Sequence, residues 1–217
     1  MKLAIYGTGG SGKEAYEVFE ECPKEKSKWD EIVFVDDTVE SGEFRSCRRF
    51  TFEDLQKTLS PEQVKIVIAI GEPKSREILY NRIVSAGYSL GNIIHSNAVI
   101  SKGSLMGNGI VLQDGVKISA EAEISDNVYI NSRTLVGHNV KIGSHCQISA
   151  NVFLAGFSKL EECVFIGVAS CIRDHTVVGA HSVISMGSVV MKDVRPYKIF
   201  MGNPGREIAD NKAEKIF

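Results

Sequence analysis

The 217-residue sequence lacks a long apolar run, a marked charge imbalance and closely paired cysteines. Its longest apolar stretches, such as Val64 to Ile70, are far shorter than the roughly 20 residues that span a bilayer. The formal net charge of −2 gives no electrostatic reason to expect a nucleic acid or a membrane surface as partner. The five cysteines form no CxxC pair, so neither a zinc ribbon nor a redox motif is indicated. We expect a cytoplasmic protein without a metal site.

A six-residue repeat is the strongest signal that is present. An aliphatic residue stands at every sixth position from Ile94 to Val190, seventeen times in succession. An α-helix needs a period near 3.6 and an isolated strand a period of 2, so neither fits as a continuous element. Short strands joined by turns do fit, with three hexapeptides forming one triangular coil of eighteen residues around an aliphatic interior. The spacing predicts an all-β parallel β-helix over residues 91–195 and leaves its hand open.

The first 90 residues have the pattern of a small Rossmann-like α/β unit with a βαβ core. Residues 2–6 read as a buried strand, which runs into a glycine-rich turn and a helix from Lys13 to about Cys22. A second strand covers Ile32 to Val35, a third covers Val64 to Ile70, and a helix runs from about Lys74 to Ala86. Residues 196–217 remain as a C-terminal tail. Trp29 stands in a charged segment that we interpret as a solvated loop.

The turn after the first strand matches the dinucleotide fingerprint. Gly7, Gly9 and Gly12 have the G-x-G-x-x-G spacing, between a strand and a helix, and an acidic pair follows the next strand. Glycines permit the tight turn, and the free N–H groups of a helix N-terminus attract phosphate. The alternative is a glycine turn that serves only packing. Because fewer than 95 residues precede the repeat, too few for the two halves of a full NAD domain, we expect one nucleotide, with NAD as a weaker possibility.

The order of these motifs resembles a known family. A glycine-rich βαβ unit, Val33-Phe34-Val35-Asp36-Asp37, Ala69-Ile70-Gly71, the hexapeptide coils and the tail Met201-Gly202-Asn203-Pro204-Gly205-Arg206 resemble the bacterial nucleotide-amino-sugar N-acetyltransferases. These include the UDP-N-acetylbacillosamine-forming enzymes, with sialic acid O-acetyltransferases as close relatives. The resemblance implies a left-handed β-helix, acetyl-CoA as cosubstrate, a nucleotide-linked amino sugar as partner, and a homotrimer with its active site between subunits.

The resemblance also implies a catalytic histidine. The family motif matches Val136-Gly137-His138-Asn139-Val140-Lys141-Ile142-Gly143 and points to His138 as the base. Many members carry an acidic residue after that histidine, whereas this chain has Asn139, whose amide can hold a tautomer but cannot stabilise imidazolium as a carboxylate would. Gly156 lies eighteen residues after His138, so one coil places the two residues side by side at about 4.8 Å. The resemblance gives the Gly156 N–H the role of binding the thioester carbonyl.

Two further groups of residues are carried over from the family. The expected lining of the pantetheine track is Val168, Ser185, Met186 and Gly187. The expected contacts of the nucleotide are Gly9, Gly10, Ser11, Asp36, Asp37 and Gly71. In the implied reaction His138 takes a proton from the sugar 4-amino group as it attacks the thioester, without a covalent acyl-enzyme.

Several alternatives remain open from the sequence. The same scaffold supports O-acetylation of a sialic acid-like hydroxyl, and Asn139 leaves room for a non-catalytic trimer that only binds sugar nucleotides. His145, Cys163 and His181 recur at eighteen-residue steps and could look like a metal site. We interpret them as turn residues, because side chains stacked a full strand spacing apart are seldom ligands of one ion.

Overall fold

The computed structural model describes residues 1–216. Its N-terminal unit contains five strands and four helices, in the order β1 Lys2–Tyr6, α1 Gly10–Glu21, α2 Pro23–Lys28, β2 Glu31–Val35, β3 Gly42–Phe44, β4 Cys47–Phe50, α3 Phe52–Thr58, β5 Val64–Ile68 and α4 Pro73–Ser85. The strands form one sheet in the order β3-β4-β2-β1-β5, in which β1 pairs in parallel with both β2 and β5. None of the helices in residues 1–216 is long and apolar enough to cross a membrane.

The central strand β1 is buried on both sides of this sheet. Leu3 and Ile5 pack with residues of α1, while Ala4 and Tyr6 pack with residues of α3 and α4. The two layers follow from the alternation of side chains along a strand. Trp29 corrects one prediction: it is 5% exposed and its Nε1 donates to Glu25 Oε2 at 2.9 Å, so it belongs to the core and not to a solvated loop. Lys28 and Asp30 on either side of Trp29 are exposed, so the sequence around Trp29 has the charged pattern of a solvated loop.

The repeat region consists of seventeen two-residue strands. They are β6 Ile93–Ile94, β7 Val99–Ile100, β8 Leu105–Met106, β9 Val111–Leu112, β10 Lys117–Ile118, β11 Glu123–Ile124, β12 Tyr129–Ile130, β13 Leu135–Val136, β14 Lys141–Ile142, β15 Gln147–Ile148, β16 Phe153–Leu154, β17 Lys159–Leu160, β18 Phe165–Ile166, β19 Cys171–Ile172, β20 Val177–Val178, β21 Val183–Ile184 and β22 Val189–Val190. The second residue of every strand is the aliphatic residue of the repeat. From Leu112 onwards all of these are buried, and they form one continuous core.

Strands eighteen residues apart pair in parallel and form three sheets around this core. Leu135, for example, lies between Lys117 and Phe153. We call the sheet of β6, β9, β12, β15, β18 and β21 the first face, the sheet of β7, β10, β13, β16, β19 and β22 the second face, and the sheet of β8, β11, β14, β17 and β20 the third face. The first corner follows the first face (131–134 in one coil), the second corner follows the second face (137–140), and the third corner follows the third face (143–146).

The N-terminal unit lies across the first face. Tyr129 of β12 donates from its hydroxyl to the carbonyl of Ser11 at 3.0 Å, and Gln113 at the first corner donates to Glu14 at 2.7 Å. Arg76 of α4 reaches the third corner, where its guanidinium donates to the Asn127 carbonyl at 2.7 Å. Because the unit spans the first and third corners, the second corner lies on the opposite side of the β-helix.

The C-terminal residues extend the first face. β23 Lys198–Gly202 pairs in parallel with β21, and β24 Gly205–Asp210 pairs antiparallel with β23. The Asn211 side chain then donates to the carbonyl of His181 at 3.0 Å. The predicted tail of residues 196–217 therefore contains a β-hairpin up to Asp210, and Phe217 lies outside the described residues.

Candidate active site

The glycine-rich turn joins β1 to α1 and allows close approach of backbone to backbone. Gly7 has φ +117°, and a Cβ there would lie 2.7 Å from the Ala69 carbonyl oxygen. A Cβ on Gly12 would lie 1.9 Å from the Gly7 carbonyl oxygen. The turn therefore requires glycine at both positions, and it places the N-terminus of α1 beside the end of β5.

A cavity of about 650 Å³ opens between this turn and α4. It is lined by all six residues that the sequence analysis assigned to the nucleotide, namely Gly9, Gly10, Ser11, Asp36, Asp37 and Gly71. Ile78 and Leu79 of α4 complete its wall with apolar side chains, and Ile78 is 57% exposed. The sequence analysis missed these two, although an apolar residue on the exposed side of a helix is a usable signal. The cavity combines free helix N–H groups with an apolar wall, as a nucleotide requires.

Both acidic residues at the end of β2 already have partners inside the chain. Asp36 Oδ1 accepts from the Thr38 N–H at 2.9 Å, and its Oδ2 accepts from the Thr8 N–H at 3.0 Å; both threonine hydroxyls also donate to it. Burial acts to raise the pKa of Asp36, but the hydrogen bonds from Thr38 and Thr8 outweigh it and lower that pKa. Asp36 thus ties the loop after β1 to the loop after β2, on the rim of the cavity.

Asp37 is held by three other groups. It accepts from the Phe52 N–H at 2.7 Å and the Tyr6 hydroxyl at 2.5 Å, and it forms an ion pair with Arg82. Burial acts to raise its pKa, and the bonds from Phe52, Tyr6 and Arg82 together lower it. Both carboxylates are therefore ionised near neutral pH, and Asp37 keeps more free acceptor capacity than Asp36.

His138 and Gly156 are neighbours at the second corner, as the eighteen-residue spacing predicts. A Cβ on Gly156 would lie 2.7 Å from Cε1 and 2.8 Å from Nε2 of His138, so the imidazole lies directly over the glycine. Within residues 1–216 the Gly156 N–H has no hydrogen-bond acceptor. The His138 side chain is exposed. An imidazole and an unused backbone donor thus lie beside each other on an open surface.

Two side chains outside the predicted set lie in the same corner as His138. Its Nδ1 lies 3.0 Å from Asn139 Oδ1, and Asn139 Nδ2 donates to Glu121 Oε2 at 2.8 Å. The Phe157 ring is edge-on to His138, with centroids 5.1 Å apart, and it stacks on His175 at 4.8 Å. The sequence analysis missed Glu121 and Phe157. Their signal was the eighteen-residue step, because Glu121, Asn139, Phe157 and His175 occupy one column of the second corner.

The four residues expected along the pantetheine track lie elsewhere. Val168, Ser185, Met186 and Gly187 belong to the first corner, where the Gly187 N–H donates to the Val168 carbonyl at 2.8 Å. Val168 is 43% and Met186 75% exposed. Within one chain the predicted residues therefore form three separate groups: the cavity over the first face, the apolar group at the first corner, and His138 with Gly156 at the second corner.

The histidines of the third corner have partners other than a metal. His145 Nδ1 lies 3.0 Å from Asn127 Nδ2, and His181 pairs with Glu214 at 3.0 Å while its ring stacks on Tyr197. Among residues 1–216 no three His, Cys, Asp or Glu side chains are grouped so that they could hold a metal ion.

Two family models match the sequence, and together they cover both parts of the fold. The PglD N-terminal domain matches residues 2–83, and the bacterial transferase hexapeptide model, with six repeats, matches residues 121–156. The chain thus combines a region that matches the PglD N-terminal domain with a region that matches the bacterial transferase hexapeptide repeat. The first match contains the cavity and the second contains His138 and Gly156. No curated protein matches the chain.

Solved structures resemble the chain over nearly its whole length. The acetyltransferase domain of PglB from Neisseria gonorrhoeae FA1090 is 29% identical, with a TM-score of 0.88 over 95% of this chain and 99% of that one. PerB from Caulobacter crescentus is 25% identical, with a TM-score of 0.86 over 96% and 98%. WeeI from Acinetobacter baumannii AYE, at 22% identity and a TM-score of 0.85 over 96% and 100%, supports the fold alone.

These matches bear on the sequence predictions. The resemblance to nucleotide-amino-sugar N-acetyltransferases is confirmed, as is the fold class, a Rossmann-like α/β unit followed by a left-handed parallel β-helix. The predicted enzyme class, an acetyl-CoA-dependent acetyltransferase, is confirmed by the same neighbours. The roles of individual residues stay predictions.

Proposed function

We propose that the protein transfers an acetyl group from acetyl-CoA to the amino group of a nucleotide-linked amino-dideoxy sugar. The observation that carries this proposal is the pair formed by the His138 imidazole and the unbonded Gly156 N–H, in a chain that also has a nucleotide-type cavity. Residues 1–90 would hold the nucleotide and residues 91–195 the coenzyme. Each of the two domains predicted from the sequence would thus bind one of the two substrates.

Two structural neighbours support the choice of substrates. The PglB acetyltransferase domain has been solved in complex with acetyl coenzyme A, at 28% identity to this chain. PerB has been solved in complex with CoA and GDP-perosamine, at 25% identity.

The residues of the second corner would act as follows. His138 would accept a proton at Nε2 from the attacking amine, because its Nδ1 faces Asn139 Oδ1 and its Nε2 has no hydrogen-bond partner within residues 1–216. The Gly156 N–H would donate to the oxygen on which negative charge develops. His138 would then release its proton to the leaving thiolate. Asn139 would hold the imidazole in place.

The separation of the three groups supports an active site shared between subunits. Since the second corner lies opposite the cavity within one chain, the nucleotide sugar and His138 can meet only if they come from different chains. The second face supplies a contact surface for this: its outward residues are mostly apolar, and Val99 and Phe153 are 59% and 43% exposed. We therefore propose a homotrimer in which the second corner of one subunit lies against the cavity and first corner of the next. Val168, Ser185, Met186 and Gly187 would there line the pantetheine.

Acetyl transfer to a panel of nucleotide amino sugars tests this function. The release of free CoA thiol is followed, and the product is analysed by mass spectrometry after mild alkali, which cleaves an ester and leaves an amide. We expect an alkali-stable product, and a rate that His138→Ala lowers by a factor of about 10² or more. Turnover on hydroxyl acceptors alone would contradict N-acetylation. An absence of turnover on every acceptor, with no calorimetric heat from CoA, would contradict an enzymatic role.

A further inference from the structure

We propose that Glu121 is a positioning residue for the catalytic histidine and acts on it through the Asn139 amide. This inference rests on the function proposed above, because it assumes that His138 is the base. Glu121 belongs to the preceding coil and, within residues 1–216, forms no hydrogen bond with His138 or Gly156. Its side chain accepts one hydrogen bond, from Asn139, the residue next to the histidine.

The contact with Glu121 fixes which way the Asn139 amide points. A carboxylate oxygen can only accept a hydrogen bond, so the atom 2.8 Å from Glu121 Oε2 must be the amide nitrogen. The amide oxygen is then the atom that lies 3.0 Å from His138 Nδ1. Without the carboxylate, the two ends of the amide would be free to exchange places.

The orientation of the amide in turn fixes the tautomer of the histidine. An amide oxygen only accepts, so the neutral His138 must carry its proton on Nδ1 and leave Nε2 with a free lone pair. A flipped amide would place its NH₂ group against Nδ1 and favour the opposite tautomer, in which Nε2 is protonated and cannot act as a base. The chain Glu121–Asn139–His138 therefore selects the reactive tautomer.

The surroundings of Glu121 leave its carboxylate available for this task. Within residues 1–216 Glu121 has no cationic partner, whereas Glu123 in the same coil pairs with Lys141 at 3.0 Å. Asn139 has φ 58°, a left-handed backbone conformation that asparagine tolerates better than glutamate does. A carboxylate one coil away thus replaces the carboxylate that the chain lacks directly after His138.

Steady-state kinetics of Glu121→Gln test the proposal, with acetyl-CoA and the best amino sugar acceptor of the panel. A glutamine can present its NH₂ group to Asn139 and allow the amide to flip, so we expect kcat to fall about tenfold. The KM values of both substrates should stay within about twofold, because no substrate contact is removed. Glu123→Gln is the matched control: it removes an exposed carboxylate of the same coil, and should keep the wild-type kcat.

A rescue variant separates positioning from a general structural effect. In Glu121→Gln/Asn139→Asp the new carboxylate accepts directly from His138 Nδ1, so kcat should recover most of its loss. Aspartate also tolerates the left-handed backbone at this position. A kcat of Glu121→Gln equal to the wild type, or a double variant no faster than the single one, would overturn the proposal.

The ¹⁵N NMR spectrum of histidine-labelled protein provides a readout that does not depend on turnover. We expect His138, assigned by the signal lost in His138→Ala, to be protonated at Nδ1 in the wild type and to shift towards the Nε2-protonated form in Glu121→Gln. An unchanged tautomer would contradict the role of Glu121 even if the enzyme is active. An inactive wild type with the expected tautomer would instead contradict the proposed function.

Discussion

At the scale of single residues, the site depends on what stands next to His138. The eighteen-residue spacing was enough to predict from the sequence that Gly156 would lie beside it, because both residues follow a buried aliphatic position at the same offset. The contact between Asn139 and Glu121 could not be predicted in this way. The eighteen-residue step predicts which residues are neighbours. Which of these neighbours form hydrogen bonds depends on their side-chain rotamers, which the sequence does not specify.

Gly156→Ala tests the close approach of the imidazole. The added Cβ would lie 2.7 to 2.8 Å from ring atoms of His138, so the ring must move away from its position. We expect kcat to fall about 10² with little change in thermal unfolding, because the site is exposed and the core is untouched. Gly42→Ala is the control, since its Cβ would have its nearest contact at 3.6 Å, to Arg49. Wild-type kcat in Gly156→Ala would show that the ring and the glycine do not act together.

Asp36→Asn tests the loop contacts at the rim of the cavity. The amide cannot accept all four hydrogen bonds from Thr8 and Thr38, so we expect about 1 to 3 kcal/mol less unfolding free energy at pH 7. Because folding lowers the pKa of Asp36 from 3.8, its contribution is present above that pH and is lost as the pH falls below it. In urea unfolding experiments, the free energy of unfolding should therefore fall less steeply with decreasing pH in the variant than in the wild type. Glu53→Gln, which removes half of an exposed pair with Lys57, should change neither quantity.

At the scale of elements, the period of six predicted where each strand of the β-helix lies, because each strand ends at a repeat position. The N-terminal unit was predicted less completely: the three buried strands were found, but α2, α3 and the β3-β4 hairpin were not. These elements are short, of three to seven residues each, so none is long enough to show a clear helical or strand periodicity in the sequence. The packing of α4 on the third corner could not be predicted either, since it depends on the individual contacts of Arg76 and Tyr80.

Arg76 joins α4, β5 and the third corner. It is fully buried, and its five N–H groups all donate, to the carbonyls of Ile68, Ile70 and Asn127 and to the Asn127 side chain. Burial lowers its pKa to about 10, so the group is still charged at neutral pH. This charge and burial together lower the pKa of the neighbouring His145 to about 4, with burial as the larger cause.

His145 should therefore make the junction between α4 and the β-helix sensitive to acid. Asn127 Nδ2 donates to the Arg76 carbonyl at 3.0 Å, so His145 Nδ1 must accept from it and stay unprotonated. The stabilisation is complete above the ordinary histidine pKa of 6.5 and is lost as the pH falls from there towards 4, by about 3 kcal/mol at most. His145→Asn should flatten the dependence of unfolding free energy on pH between these values. His175→Asn, at an exposed position with φ 56°, should leave the slope unchanged; an equal slope in all three proteins would contradict this account.

At the scale of the whole molecule, the fold class could be predicted from the sequence, but the separation of the three groups of residues could not. Sequence spacing orders residues along one chain. It does not report that the cavity, the first corner and the second corner face different directions. This separation supports an active site that is built from residues of two subunits.

Mixed trimers test whether the site is shared. His138→Ala removes the base, and Gly71→Phe fills the cavity, since a Cβ on Gly71 has no atom nearer than 3.7 Å and the ring can extend inwards. Each variant alone should be inactive. After the two are unfolded together and refolded as an equal mixture, about a quarter of the sites would combine an intact His138 with an intact cavity from the neighbour. Mass spectrometry verifies the mixing; mixed trimers without activity would contradict a shared site.

The most direct test of the central claim is a crystal structure of the protein with CoA and a nucleotide amino sugar. We predict the nucleotide in the cavity lined by Gly9, Gly71 and Ile78, and the sugar nitrogen about 3 Å from His138 Nε2 of the neighbouring subunit. A sugar nitrogen far from every His138, or CoA bound away from Gly156, would contradict the account.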